Sequence, residues 1–427
     1  MQKQSLKKQT LLLTITNIFV RMLGFLMRII ISRVMGSEAL GIMELASSVH
    51  MLAITPVTAG IPLAVSHLVA KEADAASKIV LSSALRLVNK IALATMLLLA
   101  VFSGPIARFL GDVRTLPSIL VCIPAVFILG RAAVYNGYCY GKSNASLPAL
   151  SEFSEQLLRF LFSLILLFSF THLALPWLAA LPALATTAAE ALGLCLIAML
   201  LKPYPLAVCE KVMEKKLFSL ALPPTLARLS NTLLRSLNAI LIPFRLRLSG
   251  LPAAEATARF GLFSGMLMPV LFLPSVVTGA LAMISSGRMA RLEAKPRQLK
   301  SDALRLLIFA AATGCFCAVA LHLFAPFISL KLYKQAELTA LIRFCCPCVV
   351  FLSVNQVANG MIAGIGRQKY ALYGNIISAS ATVTISFLLT AQPAYRIYGA
   401  AIGMLIGQFI SMIWNLTLLR FALIKSA

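Results

Sequence analysis

Apolar residues run along this chain in long blocks, without the alternation of a half-buried strand or the narrow stripe of a surface helix. Blocks of about 20 residues recur from one end to the other, each long enough to cross about 30 Å of hydrocarbon as an α-helix. Twelve are read, at 10–34, 40–68, 79–103, 117–140, 152–170, 176–201, 217–242, 257–285, 302–325, 338–360, 370–390 and 396–421. They consume most of the 427 residues and leave no room for a water-soluble domain. The pattern predicts an all-α polytopic membrane protein of about twelve spans. The opening "MQKQSLKKQT" is basic, but the apolar stretch after it runs into Arg21 with no small-residue cleavage site, so a retained first helix is expected and not a signal peptide.

The blocks repeat. "TITNIFVRMLGFLMRIIISRVMG" (14–36) lies on "PPTLARLSNTLLRSLNAILIPFRLRLSG" (223–250), with Arg21 and Arg28 seven residues apart in one and Arg228 and Arg235 seven apart in the other. The next blocks keep the match. "LGIMELASSVHMLAITPVTAGIPLAV" (40–65) and "FGLFSGMLMPVLFLPSVVTGALAMIS" (260–285) each start near a glycine (Gly41, Gly261), contain proline (Pro56; Pro269 and Pro274) and end near another glycine (Gly60, Gly279). Both then run into basic segments, "HLVAKEA" and "RMARLEA". Two six-span lobes follow, 1–201 and 217–427, joined by a charged linker at 202–216. An even number of spans per lobe keeps both in the same orientation, a parallel internal repeat.

Composition agrees with this reading and charge orients it. The chain is 60% hydrophobic and 12% charged, against about 45–50% and 25% in soluble proteins. With the N-terminus inside, the inner segments carry nineteen Lys and Arg, among them Lys71, Lys142, Lys211, Arg288, Arg291 and Lys369, and the outer segments eight. That asymmetry predicts cytoplasmic termini and a cytoplasmic linker. The net charge of +24 is dotted over short loops facing anionic lipid and is not interleaved with aromatics as in a nucleic-acid binder, so nucleic acid is not an expected partner. The nine cysteines fall mostly inside spans, and the cluster "FCCPC" (344–348) lacks further ligands, so they read as small hydrophobes. No metal or cofactor is expected.

What needs explaining is arginine inside a span, where each costs about 2.5–3.5 kcal/mol on insertion scales. Arg21 lies eleven residues beyond Thr10, and Arg228 eleven beyond Leu217; at 1.5 Å per residue both stand about 16 Å deep, near the bilayer centre. Arg28 and Arg235 are about 27 Å in and reach the outer interface, and Arg33 snorkels. Seven residues return to the same helical face within about 20°, so each lobe presents a row of two guanidiniums. One account is a structural ion pair, with Glu44 on the second span or Glu190 as partner. The other is a central water-filled cavity lined by basic side chains, whose planar forks match phosphate oxygens; Arg21, Gly24, Arg28, Arg228 and Arg235 are then substrate-binding candidates.

The stretch "FVRMLGFLMRIIISRVMGSEALGIMELA", followed by "AGIPLAVSHLVAKEA", resembles the stage V sporulation protein B family. That family belongs with the peptidoglycan lipid II flippases and polysaccharide exporters of the multidrug/oligosaccharidyl-lipid/polysaccharide superfamily. The likeness continues through "YNGYCYGKSNASLPALSEFSEQLLR" (135–159), where Glu155, Gln156 and Arg159 match a glutamate-glutamine-arginine signature, and through "LIPFRLRLSG" and "ATARFGLFSGMLMPVLFLPSVVTGAL".

The resemblance implies two helical bundles around a cationic cavity. It also implies alternating access that carries an anionic lipid-linked sugar diphosphate from the inner to the outer leaflet of a bacterial plasma membrane. Arg21, Gly24 and Arg28 fall on the family's arginine-glycine-arginine pattern; Arg228 and Arg235 rest on the internal repeat alone. Glu155 and Arg159, four apart, and Glu44 are ion-pair or gating candidates. Two departures stand out. Lipid II flippases usually have fourteen spans where this chain reads as twelve, and Asn238 stands where many relatives carry an acid. A multidrug/cation antiporter of the same superfamily is the alternative; it wants intramembrane acids as ion relays, which a basic cavity disfavours. An enzyme would need paired carboxylates or a nucleophile with its base, and no such constellation is read.

Overall fold

The computed structural model describes the backbone of residues 6–72, 74–201, 210–292 and 296–425. Lys3 and residues 202–209 of the expected linker lie outside the described residues, as do the side chains of Lys7, Lys8 and Lys425. Every extended element among the described residues is helical, and the twelve expected spans can each be traced.

The first two spans form α1 (Leu6–Thr58), a 53-residue helix interrupted at Gly36. Gly36 has φ 77° and ψ 175°. A Cβ there would meet nothing within 4 Å, so glycine is required by the backbone conformation and not by space. The second span finishes as α2 (Ile61–Lys71) after a break at Ala59 and Gly60. Spans three to six are α3 (Asp74–Phe109), α4 (Leu116–Gly141), α5 (Ser146–Ser169) and α6 (Leu175–Leu200). Span seven is α7 (Lys211–Leu248), so residues 211–216, expected as linker, are its first turns. Span eight runs through α8 (Ala253–Phe260), a π-helical stretch (Gly261–Leu267) and α9 (Met268–Phe272), then through α10 (Ser275–Leu292) after a 52° bend at Leu273 and Pro274. The rest are α11 (Pro296–Pro326), extended by a π-helical stretch to Tyr333, α12 and α13 (Glu337–Cys345, Pro347–Gly364), α14 (Gln368–Thr390) and α15 (Ile397–Lys425). Judged by length and composition alone, eight helices qualify as spans, or nine with the bent pair; the kinked α1 counts there once, and α5 and α7 carry too many polar positions to qualify.

Proline placement explains several starts: α2, α4, α6 and α13 have proline in their first two positions, where its missing N–H costs nothing. Large apolar residues are found on the outer surface as well as in the core, and small residues are buried between helices. Leu97, Phe168, Phe316 and Phe421 are more than half exposed, while Ser83, Ala84, Ala92 and Ser163 are buried. Lipid tolerates such outward-facing apolar side chains, and small residues let helices approach.

Contacts divide the chain into two compact units, one ending at Ser236 and one starting at Leu237, inside α7. The first half of α7 packs into the first unit: Leu217 and Ala221 join a buried cluster with Ile61, Val65, Leu68 and Val88. Glu214 accepts a hydrogen bond from Lys90 Nζ at 2.6 Å, and the Thr225 hydroxyl accepts one from the Gly60 N–H at 3.1 Å. A Cβ on Gly60 would stand 1.9 Å from the Ala221 carbonyl oxygen, so this contact demands a bare backbone.

The repeat reaches beyond the two span pairs read from the sequence. In the first unit α4 crosses α2, and a Cβ on Gly137 or Gly141 would stand 2.6 Å from the Pro62 carbonyl oxygen or 2.9 Å from that of Ser66. In the second unit α13 crosses α10, and a Cβ on Gly360 or Gly364 would stand 2.4 Å from the Ala282 carbonyl oxygen or 2.3 Å from that of Ser286. Pro62 with Ala282, and Ser66 with Ser286, are the positions that the sequence repeat aligns. The motif on the crossing helix is also duplicated, "NGYCYG" (136–141) and "NGMIAG" (359–364).

Candidate functional site

The predicted residues of the first lobe are carried by α1, α5 and α6. Arg28 and Glu44 each lie eight residues from Gly36, on opposite sides of it. In an unbroken helix they would be about 24 Å apart. The chain reversal at Gly36 brings them level, and Arg28 Nη1 donates to Glu44 Oε1. The pair is only partly enclosed, with side-chain exposures of 34% and 12%. The candidate ion pair is therefore formed at Arg28, and a half-buried guanidinium with further donors remains at the site.

Arg21, two turns away on the same face, is exposed. Gly24, between the two arginines, faces α5: a Cβ there would stand 3.4 Å from Gln156 Nε2. Phe19 and Phe153 pack beside this crossing, with ring centroids 5.1 Å apart. The arginine face of α1 and the glutamate-glutamine-arginine segment of α5 thus adjoin one another.

On α5 the signature forms a cluster. Arg159 Nη2 donates to Glu155 Oε1 at 2.5 Å and to Glu190 Oε1 on α6 at 3.3 Å, and Arg159 Nη1 donates to Gln156 Oε1 at 3.1 Å. Glu190 is 5% exposed. One guanidinium therefore holds two carboxylates and an amide, and it ties α5 to α6. Glu190 was expected as a partner for the α1 arginines; its partner is Arg159 on α5 instead. Glu190 Oε2, Arg159 Nε and His50 Nδ1 are buried without a hydrogen-bond partner among the described residues.

Arg228 and Arg235 on α7 are both exposed, and neither has an ion-pair partner among the described residues. Beside them runs the stripe that fixes α7 to the first unit. Ser236 Oγ donates to the Ser48 carbonyl at 2.9 Å, and Thr55 and Thr232 hydroxyls meet at 3.5 Å. Thr225, Thr232 and Ser236 share one face, and the two arginines stand about 60–80° round the helix from it. The second arginine pair was assigned to the second lobe; the half of α7 that bears it packs with the first unit.

Sequence reasoning missed a polar cluster in the second unit. Asn355 on α13 donates to Ser411 Oγ on α15 at 2.8 Å, and its Oδ1 accepts from Asn415 and, at 3.3 Å, from Asn359. These residues are neutral and scattered through apolar blocks, so the only signal in the sequence was asparagine inside a span. Among the described residues no group of three His, Cys, Asp or Glu is disposed to hold a metal ion.

The fold is that of polytopic transporters. An inward-facing multidrug-resistance transporter of the MATE family, in the MOP superfamily, matches with a TM-score of 0.78 at 18% identity, covering 95% of each chain. An outward-facing MATE structure matches with 0.66 at 17% identity, covering 97% of this chain and 96% of the other. A MOP-superfamily transporter from Pyrococcus furiosus, described as having a binding pocket of reverse polarity that suggests a different function, matches with 0.65 at 16% identity, covering 98% and 97%. The family profile "Polysaccharide biosynthesis protein" matches residues 6–286, and the chain belongs to that family. It is 27% identical over 430 residues to stage V sporulation protein B of Bacillus subtilis (strain 168), covering 96% of this chain and 82% of that protein. By fold and family it is a multi-pass membrane protein of the polysaccharide biosynthesis family with a MATE-like fold.

Proposed function

We propose that this protein is an alternating-access flippase, or exporter, for an anionic lipid-linked sugar, a cell-wall or polysaccharide precursor. It moves its substrate from the inner to the outer leaflet of a bacterial plasma membrane, with both termini in the cytoplasm. Family membership supports the polysaccharide context. The observation that carries the anionic substrate is the arginine face of α1: Arg21 exposed, Arg28 one heptad on and only partly answered by Glu44, and Gly24 keeping the face open between them. Arg228 and Arg235 repeat the spacing on α7 and are exposed. Guanidiniums in that array suit a diphosphate, which takes two or more planar forks at once.

The fold alone leaves the charge of the substrate open, since a MOP transporter of this fold is described as having reversed pocket polarity. A cation antiporter is favoured by one observation, the meeting of Glu155 and Glu190 on a single guanidinium, which places two carboxylates inside the bundle. Reconstituted transport separates the two readings. Proteoliposomes should translocate a fluorescent polyprenyl-diphosphate sugar and ignore ethidium. Arg21→Lys keeps the charge but loses the fork, so transport should fall while expression and insertion survive. Arg21→Ala should cost about tenfold or more, the worth of one charge-assisted hydrogen bond. Folded Arg21→Ala protein that transports at the wild-type rate, or ethidium export by the wild type, defeats the reading.

A further inference from the structure

The second unit carries a basic groove, well away in sequence from the arginines above, where α10 ends and α11 begins. It encloses about 480 Å³ and is lined by Arg288 and Arg291 from α10 and by Gln298, Ser301, Asp302 and Arg305 from α11. The spacing explains the arrangement. Arg288 and Arg291 are three apart on one helix, and Gln298, Ser301, Asp302 and Arg305 follow at three, four and seven on the other, so each helix turns a single face to the groove.

Asp302 is mostly enclosed and accepts from the half-exposed Arg288 Nε at 2.7 Å, which leaves the terminal nitrogens of Arg288 without a partner among the described residues. Arg291 and Arg305 have no ion-pair partner among them either. Among the lining residues, three guanidiniums therefore face one carboxylate. The opening turns of α11 add its N-terminal dipole, which favours an anion. Ser301 and Gln298 add neutral donors.

The surroundings say what kind of anion fits. Around Arg305 on α11 the surface becomes apolar and open: Leu304 beside it, and Ile308 and Phe309 about one turn beyond, are each more than half exposed. Met283 and Ile284 stand equally bare on α10. A cationic groove that opens onto a lipid-facing apolar flank suits a molecule with a phosphate at one end and a hydrocarbon chain at the other. A free phosphate would gain nothing from the flank.

We propose that this groove is a binding site for the phosphate group of a membrane lipid, with the lipid chain lying along Leu304 and Ile308. An anionic phospholipid headgroup and a polyprenyl diphosphate share that chemistry. The assignment does not depend on the transport reading, because it concerns neither the α1 arginines nor movement of substrate.

The test is native mass spectrometry of the full chain released from nanodiscs, with dioleoyl phosphatidylglycerol, dioleoyl phosphatidylcholine and farnesyl diphosphate as probes. Wild-type protein should retain phosphatidylglycerol or farnesyl diphosphate over phosphatidylcholine. Retention should weaken about fivefold for each arginine removed in Arg291→Gln and Arg305→Gln, and by less in the Arg291→Lys/Arg305→Lys double variant, which keeps the charge. Lys211→Gln, on α7 and exposed, should change nothing. If phosphatidylglycerol is retained and farnesyl diphosphate does not displace it, the occupant is a bilayer headgroup; the reverse preference makes the groove a dock for a prenyl-linked molecule. Either result supports a lipid phosphate site. Equal retention of phosphatidylcholine, undiminished retention in the double glutamine variant, or equal displacement by inorganic diphosphate overturns it. Monodisperse elution and retained helicity of each variant keep a folding defect from passing as lost binding.

Discussion

Arg28 shows how a partly buried charge is held in this protein. Its guanidinium is two-thirds covered, and Glu44 answers it across the turn at Gly36. Removing one partner of such a pair leaves the other charge desolvated, which costs more than the pair contributes when whole. Glu44→Gln should therefore destabilise the purified protein by about 1–3 kcal/mol, read as a lowered midpoint in a thermal melt. Arg28→Gln combined with Glu44→Gln should recover part of the loss. A double variant as unstable as the sum of the single ones would mean that the two residues act separately. Arg28 and Arg21 also differ in role at this scale. Arg28 bridges the two halves of α1 through Glu44, while the Arg21 side chain is exposed.

At the scale of elements, the duplicated crossing is an exacting contact present in both units. Gly137 and Gly141 on α4 lie against the α2 backbone, and Gly360 and Gly364 on α13 lie against that of α10. Close approach of this kind is how helices associate where lipid removes the hydrophobic drive between them. Even one methyl group has no room: Gly137→Ala places Cβ 2.6 Å from a carbonyl oxygen, and Gly360→Ala places it 2.4 Å from one. Each substitution should cost about 1–3 kcal/mol and reduce the yield of folded protein, whereas Gly104→Ala, with nothing within 4 Å, should be neutral. Indistinguishable melting of all three would show that the helices separate at little cost. The two crossings are also where the copies differ. The first breaks its helix at Ala59 and Gly60, just before the contact, and the second at Leu273 and Pro274, more than a turn earlier.

For the whole molecule, under the proposed function, the relevant quantity is charge moved across the membrane. A lipid diphosphate carries about two negative charges, and an inside-negative potential favours their export by about 2.3 kcal/mol per charge per 100 mV. No nucleotide-binding loop of the G-x-x-x-x-G-K-[ST] type is present in the sequence to supply ATP energy. Under the proposed function, outward transport should rise with an inside-negative potential and fall when it is reversed, at equal pH and sodium. The upper limit is roughly 4.6 kcal/mol at 100 mV if both charges cross uncompensated; arginines returning with the empty carrier lower it. Proteoliposomes with imposed potassium diffusion potentials measure this directly. Rates blind to voltage and restored by a proton or sodium gradient would point to the carboxylates around Arg159 as the coupling group.

Much of the architecture is legible in the sequence alone. Span positions follow from local hydrophobicity, because a helix in lipid satisfies its own backbone and needs only about 20 apolar residues in a row. The repeat, the seven-residue arginine spacing and the loop charge asymmetry are equally local properties. What tertiary structure decided is which faces meet. That Arg28 pairs with Glu44 depends on a reversal at one glycine. That Arg159 gathers Glu155 and Glu190 depends on α5 lying against α6. That α7 divides between two compact units at Ser236 and Leu237 depends on the sum of its contacts along both halves. Apolar side chains are interchangeable in lipid, so their order along the chain fixes where helices start and stop but leaves partner choice to small residues, hydrogen bonds and shape.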